Sequence, residues 1–215
     1  MRKYISVVMI FTMFVTLGIY KTQSNIQKDQ VIQEQQEKQE KNYQQSQIEL
    51  QNTNNPFKEP SRKGEHKIYD IPLPIEDQIL IYEESEKYGL SPELIISIIK
   101  VESTFNTNAT SKSKSSLGLM QLDKGTYPWI AKELNINNFN PYNSTHNIKA
   151  GIWYVNYLRD YWYLKGYSDE ECFNLILLSY NCGIDGCKKY ISKHGFNSSY
   201  TNKVTTYKDN LERNQ

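Results

Sequence analysis

The sequence predicts an all-α domain over residues 67–213, and three observations carry that prediction. Apolar residues in this region recur at helical spacing, serine and proline stand where helices would begin, and glycines stand where they would end. No period-two run is long enough to build a sheet. The same pattern leaves room for a minor β element between Thr110 and Leu122, which would make the domain α+β.

The elements follow in order along the chain. The first helix runs from about Ile75 to Tyr88, with Ile75, Ile79 and Tyr82 turned inward, and Gly89 stops it. Ser91 then reads as an N-cap, with Pro92 at the first helical position and Glu93 in the first turn. From there Leu94, Ile95, Ile98, Ile99 and Val101 fit a helix buried on most sides. The polar stretch from Thr104 to Ser116 reads as loop. Helix-like segments resume from about Lys124 to Leu134. A long helix starting near Asn143 or Ser144 sets Ile148, Ile152, Val155, Leu158 and Trp162 on one face. The sequence "SDEE", Ser168 to Glu171, is a capping box. It opens a helix whose inward residues are Phe173, Ile176, Leu177 and Tyr180 and whose stop is Gly183. Further helical stretches cover roughly Asp185 to Ser192 and Tyr200 to Leu211.

Within this pattern Glu102 is out of place. It lies seven residues past Ile95, four past Ile98 and three past Ile99, so it shares their face. If that helix packs inward, the carboxyl goes with it. A buried carboxyl without a partner raises its pKa and keeps its proton, which is the state a general acid needs near neutral pH. The competing reading is a frayed helix end with Glu102 in solvent or paired with a lysine. Tyr180 and Asn181 fall at another helix end, on or beside its buried face.

The remainder of the chain differs in kind. Arg2 and Lys3 precede the apolar run "YISVVMIFTMFVTLGIY", which Lys21 closes. As a helix this run would be roughly 25 Å long, within tolerance for a bilayer. Residues 1–21 therefore read as an uncleaved signal anchor with the following chain outside, or, if cleaved, as a secretory signal. Residues 22–66 are rich in Gln, Glu, Lys and Asn and too poor in apolar residues to hold a core, so they read as disordered linker or marginal helix. The net charge of +1 and the lack of a concentrated basic patch argue against a nucleic-acid partner. Cys182 and Cys187 flank "GIDG" and either close a small disulfide loop, leaving Cys172 odd, or remain with it as reduced thiols. His66, His146 and His194 are scattered without ligand spacing, and no metal or cofactor is expected.

Several segments together resemble the soluble lytic transglycosylase domain, a relative of goose-type lysozyme that degrades bacterial peptidoglycan. "ESTFNTNA" (Glu102 to Ala109) matches its acid-bearing segment and "GLMQL" (Gly118 to Leu122) its second motif. "NIKAGIWYVNYL" (Asn147 to Leu158) matches the third, "SYNCG" (Ser179 to Gly183) the fourth, and "YTNKV" (Tyr200 to Val204) looks like the closing one. They occur in the family's order and span most of residues 75–210. The resemblance implies a lysozyme-like helical fold with a groove for a glycan strand. It also implies that Glu102 is the catalytic acid at the bond between N-acetylmuramic acid and N-acetylglucosamine. Gln121 would hydrogen-bond sugar near the acid, and Tyr180 and Asn181 would position Glu102 and the muramic ring. Ser103 and Phe105 would support the helix end.

The chain departs from that family in two places. The loop from Ala109 to Gly118 is one residue longer, with Ser115-Ser116 where Gly-Ala is common. Asp123 follows "MQL" where transglycosylases carry methionine and then proline; goose-type lysozymes have an aspartate there, thought to help hold a hydrolytic water. Glycosidases usually employ two carboxyls. Lytic transglycosylases use one, because the muramic 6-hydroxyl closes onto C1 and yields a 1,6-anhydro sugar. Asp123 thus separates a transglycosylase from a muramidase, unless it is a loop residue capping a helix that begins near Lys124. A third reading is a wall-binding protein with a vestigial groove, against which the joint presence of Glu102, Gln121 and Tyr180 argues.

Overall fold

The computed structural model describes residues 66–113 and 115–213; the expected anchor (1–21) and nearly all of the linker (22–66) lie outside the described residues. The chain forms helices α1 (Ile75–Tyr88), α2 (Pro92–Ser103), α3 (Tyr127–Glu133), α4 (Ser144–Tyr163), α5 (Asp169–His194) and α6 (Ser199–Arg213). A two-stranded antiparallel hairpin, β1 (Ser116–Leu117) and β2 (Leu122–Asp123), sits between α2 and α3, with an isolated bridge from Thr110 to Leu117. The domain is helical with a minor β element.

Helix α2 occupies the middle of the packing. Leu94, Ile95, Ile96, Ile98 and Ile99 are all fully buried, so the helix is covered on every side, most extensively by α6. Ser91 caps it, its hydroxyl oxygen accepting from the Leu94 amide at 3.2 Å, and Pro92 fills the first turn. The predicted stripe of α4, Ile148 to Trp162, is buried throughout and faces α5 and α1. The Ser168–Glu171 capping box opens α5, and Gly183 (φ 74°, ψ 162°) ends its first half; the chain resumes helix at once, without a loop. The three cysteines are free thiols: Cys172 and Cys187 buried, Cys182 exposed.

Two predicted elements need correction. Helix α1 has the predicted span but a rotated face: Ile75 is 55% exposed, and Ile79 and Tyr82 are only half-buried. The side turned inward carries Gln78, Ile81 and Ser85, flanked by Asp77 and Glu84. Polar side chains can occupy that side because they are bonded there. The Gln78 amide donates to the carbonyls of Leu73 (2.9 Å) and Tyr69 (3.2 Å) and accepts from the Tyr69 amide (2.9 Å). Glu84 pairs with Lys87 and Lys149. Helix α3, expected from about Lys124, begins only at Tyr127. Asp123 is therefore not its cap; its Oδ1 accepts from the Gly125 amide at 2.7 Å and shapes the turn leading out of β2.

One buried side chain fixes the hairpin on the helices. The Asn147 Oδ1 accepts from the Met120 amide at 2.7 Å, while its Nδ2 donates to the carbonyls of Leu117 (3.1 Å) and Pro141 (2.9 Å). Gly118 lies against this contact with φ 78°; a Cβ there would come within 2.1 Å of the Pro141 carbonyl oxygen.

Candidate functional site

Glu102 lies on the last turn of α2, and the chain leaves that turn abruptly. Thr104 (φ 53°) and Phe105 (φ 66°) both adopt left-handed backbone, and Phe105 folds back into the core near Tyr207. Gln121, in the turn between β1 and β2, is also left-handed at φ 47°. The other left-handed non-glycine residues among those described are Asn135 and Asn138, a residue type that tolerates this conformation. Backbone cost is thus concentrated on the segments around Glu102 and Gln121, a pattern common at functional sites.

The Glu102 carboxyl accepts a hydrogen bond from the Tyr200 hydroxyl at 2.6 Å, reaching from the first turn of α6. Burial pushes its pKa from 4.5 up to about 7, and the Tyr200 bond pulls the other way. The apolar helix therefore does to this carboxyl what its position in the sequence suggested. The Tyr200 and Tyr180 phenols are both raised well above their ordinary value, first by burial and next by the neighbouring Glu102 charge. Two neutral hydroxyls thus flank one carboxyl that exchanges its proton near neutrality.

Tyr180 does not bond Glu102. Its hydroxyl donates instead to the Met120 carbonyl at 2.8 Å and joins α5 to the hairpin that carries Gln121. The Gln121 amide donates both protons inward, to the carbonyls of Gly118 (2.8 Å) and Ala109 (3.1 Å). Its oxygen, a hydrogen-bond acceptor, takes no bond from the described residues. Asn181 follows Tyr180 and is exposed.

Beside Tyr180 a row of aromatic rings leads to a shallow pocket of about 500 Å³. Tyr154 packs against Tyr180 (5.7 Å between centroids) and stacks on Tyr157 (6.2 Å), which meets the edge of Trp129 at 5.0 Å. Trp129, Tyr154 and Tyr157 line it together with Cys182, Asp185 and the kink at Gly183. Asp123 is exposed and close enough to Tyr154 that its charge helps burial push that phenol up to about 12. Among the described residues no group of three or more His, Cys, Asp or Glu is arranged to hold a metal ion.

The sequence marks Tyr200 as the start of a helical stretch and of a motif, and nothing there ties it to Glu102. The partner it finds is 98 residues away, and no local pattern marks that pairing. The one available signal was a tyrosine in the first turn of a helix placed to cover α2.

The sequence profile of the Transglycosylase SLT domain matches residues 79–202. Among curated relatives, the membrane-bound lytic murein transglycosylase C of Glaesserella parasuis serovar 5 (strain SH0165) is 34% identical over 110 residues, covering 48% of this chain and 30% of that protein. The protein of the same name from Yersinia enterocolitica serotype O:8 is 32% identical over 110 residues with the same coverage. The chain thus matches less than a third of these relatives' length. Among solved structures, an inactive mutant of the lytic transglycosylase Slt from Pseudomonas aeruginosa superposes with a TM-score of 0.55 at 18% identity, over 66% of this chain and 25% of that one. The 70 kDa soluble lytic transglycosylase of Escherichia coli gives 0.51 at 18% identity, over 60% and 23%. At such identities the superpositions establish a shared fold.

Proposed function

The chain belongs to the Transglycosylase SLT domain family, and on that premise we propose that it is a peptidoglycan lytic transglycosylase with Glu102 as its only catalytic carboxyl. The observation that carries the reading is Glu102 itself, desolvated at the end of α2, held by the Tyr200 hydroxyl and poised near pH 7. In the proposed reaction the protonated carboxyl donates to the glycosidic oxygen between N-acetylmuramic acid and N-acetylglucosamine, and the C1–O bond breaks. The muramic 6-hydroxyl attacks C1 and gives its proton to the Glu102 carboxylate, which regains the acid form. Atoms balance without water, and the product carries a 1,6-anhydro ring.

The other residues take supporting roles. Tyr200 orients the acid. Tyr180, through its bond to the Met120 carbonyl, holds the Gln121 hairpin beside it, and Gln121 offers its free oxygen to a sugar N–H or O–H. Asn181, exposed at the end of the same helical segment, is available to the muramic ring. The aromatic pocket offers faces on which sugar rings stack. Asp123 is best read as a turn residue, since its Oδ1 is engaged by the Gly125 amide.

The domain boundaries assigned to the sequence (1–21, 22–66 and 67–213) fit a catalytic unit carried on a tether. The relatives' names include attachment to a membrane, and residues 1–21 would supply that attachment here. No helix among the described residues is long and apolar enough to cross a membrane. The test is product mass from purified peptidoglycan. Anhydro-muropeptides, lost in Glu102→Gln, are expected; reducing-end products would make the enzyme a muramidase. A Glu102→Gln variant that binds sacculi like the wild type, beside a wild type that releases nothing, would leave only a wall-binding protein.

A further inference from the structure

Glu102 has a second hollow near it, lined by other residues than the aromatic pocket, and its chemistry is different. This groove of about 620 Å³ runs between the last turn of α2 and one face of α6. Its walls are Lys100 and Val101 from α2 and, from α6, Asn202, Lys203, Thr206, Tyr207 and Asn210, with Ser199 at one end. The two hollows share no residue. Val101 directly precedes Glu102, and Ser199 directly precedes Tyr200, so the groove adjoins the hydrogen-bonded pair from both helices.

The lining carries two cations and no acid. The other charges of α6 are matched among themselves, Lys208 to Glu212 and Arg213 to Asp209. Among the described residues Lys203 and Lys100 have no carboxylate within ion-pair distance. Lys100 lies instead over the rings of Phe105 (5.4 Å) and Tyr207 (5.8 Å), which hold its ammonium at the groove wall. Around these cations stand amide and hydroxyl side chains able to bond a peptide backbone. A neutral glycan has nothing for two ammonium groups to recognise, whereas the peptide that hangs from each muramic acid carries free carboxylates.

We propose that the α2–α6 groove is a binding site for the acidic stem peptide of peptidoglycan, seated by Lys100 and Lys203 while the sugar chain lies at Glu102. The inference rests on the peptidoglycan reading above and adds the part of the substrate that this side of the molecule takes. Sugar and peptide would then be read by separate walls, one aromatic and one cationic.

The experiment uses the full chain and four probes, with affinities measured by calorimetry at low and high salt. The probes are a stem peptide acetylated at both its α- and lysyl ε-amines (alanyl-γ-glutamyl-lysyl-alanine), its amidated uncharged counterpart, a neutral N-acetylglucosamine oligomer and a glycerol-phosphate oligomer. Lys203 is exposed, so Lys203→Gln leaves the packing of α6 in place, and its unfolding midpoint checks this. The expected result is that Lys203→Gln weakens the acidic peptide at least about fivefold, that salt weakens it in the wild type, and that amidation reproduces the loss. Overturning results are an acidic peptide bound equally by wild type and variant, one not bound by the wild type, or preference for glycerol phosphate. If the peptide binds through Lys203 but the sugar oligomer does not bind, this site stands and the glycan reading falls; the reverse pattern removes the groove alone.

Discussion

Replacing Tyr200 by phenylalanine removes one hydroxyl and leaves the ring in place, which isolates the one hydrogen bond that the described residues make to the Glu102 carboxyl. In the wild type, burial raises the carboxyl to about 7 and this bond lowers it, so the value is what remains of two opposed effects. A hydrogen bond to a charged group contributes about 1.5–3 kcal/mol, and the neutral carboxyl keeps part of that, so the difference between the two protonation states is about 1–2 kcal/mol. At about 1.4 kcal/mol per pH unit, the acid in Tyr200→Phe titrates roughly one unit higher. In the proposed reaction Glu102 works protonated at the bond-breaking step, so activity falls as pH rises through its pKa, and the variant's alkaline limb moves upward by that unit. The plateau drops at the same time, because the carboxyl is no longer held in one orientation. The assay is kcat/KM for release of soluble products from purified sacculi between pH 5 and about 10. An alkaline limb that stays in place or moves down would refute the argument that this bond and burial oppose each other at Glu102.

Three further outcomes are expected. Glu102→Gln should lose at least about 10²-fold in rate; since the wild-type pKa rises from 4.5 unfolded to about 7 folded, wild-type stability declines as pH climbs through that window, so the glutamine variant should gain on the order of 3 kcal/mol well above pH 7 and nothing below pH 4, as read by urea unfolding. Asp123→Asn should retain most activity and still yield anhydro products by mass, because asparagine can accept from the Gly125 amide and no water needs a base; a loss of about 10²-fold would assign the aspartate a chemical role. Gly118→Ala forces a Cβ against the Pro141 carbonyl in left-handed backbone, and should cost at least about 2–3 kcal/mol by denaturant unfolding; a variant of wild-type midpoint would contradict the packing described for that turn.

What could be read from the chain depended on the range of the interaction. Helix ends written in neighbouring residues, such as Ser91-Pro92 and the Ser168–Glu171 box, appear where expected because cap and partner lie within one turn. The burial of Glu102 followed from its own helix's periodicity. The face of α1 did not, because Gln78 and Glu84 are turned inward by partners on other segments, and a pattern of apolar residues cannot register a satisfied polar one. Asp123 looked like a cap since the helix after it was placed three residues too early; Gly125 completes a turn first. The resemblance points to Tyr180 beside Glu102, and Tyr180 does lie within reach of its charge; the hydroxyl that bonds the acid belongs to Tyr200, which tertiary packing alone brings across the chain.

The three hydrogen bonds of Asn147 have a consequence for the timescale on which the Gln121 hairpin moves. Short strands and loops ordinarily exchange their amide protons with solvent through small local openings. The Met120 amide cannot, since its acceptor is a fully buried side chain anchored on α4 and tied in turn to the Leu117 and Pro141 carbonyls. Releasing it means detaching the whole hairpin from the helix. Its exchange should therefore track the slowest amides of α4 and not those of the surrounding loop. A hairpin so fastened does not close over an incoming strand; it holds the Gln121 side chain in a fixed place, and under the proposed function the glycan would thread past a surface already in its final shape.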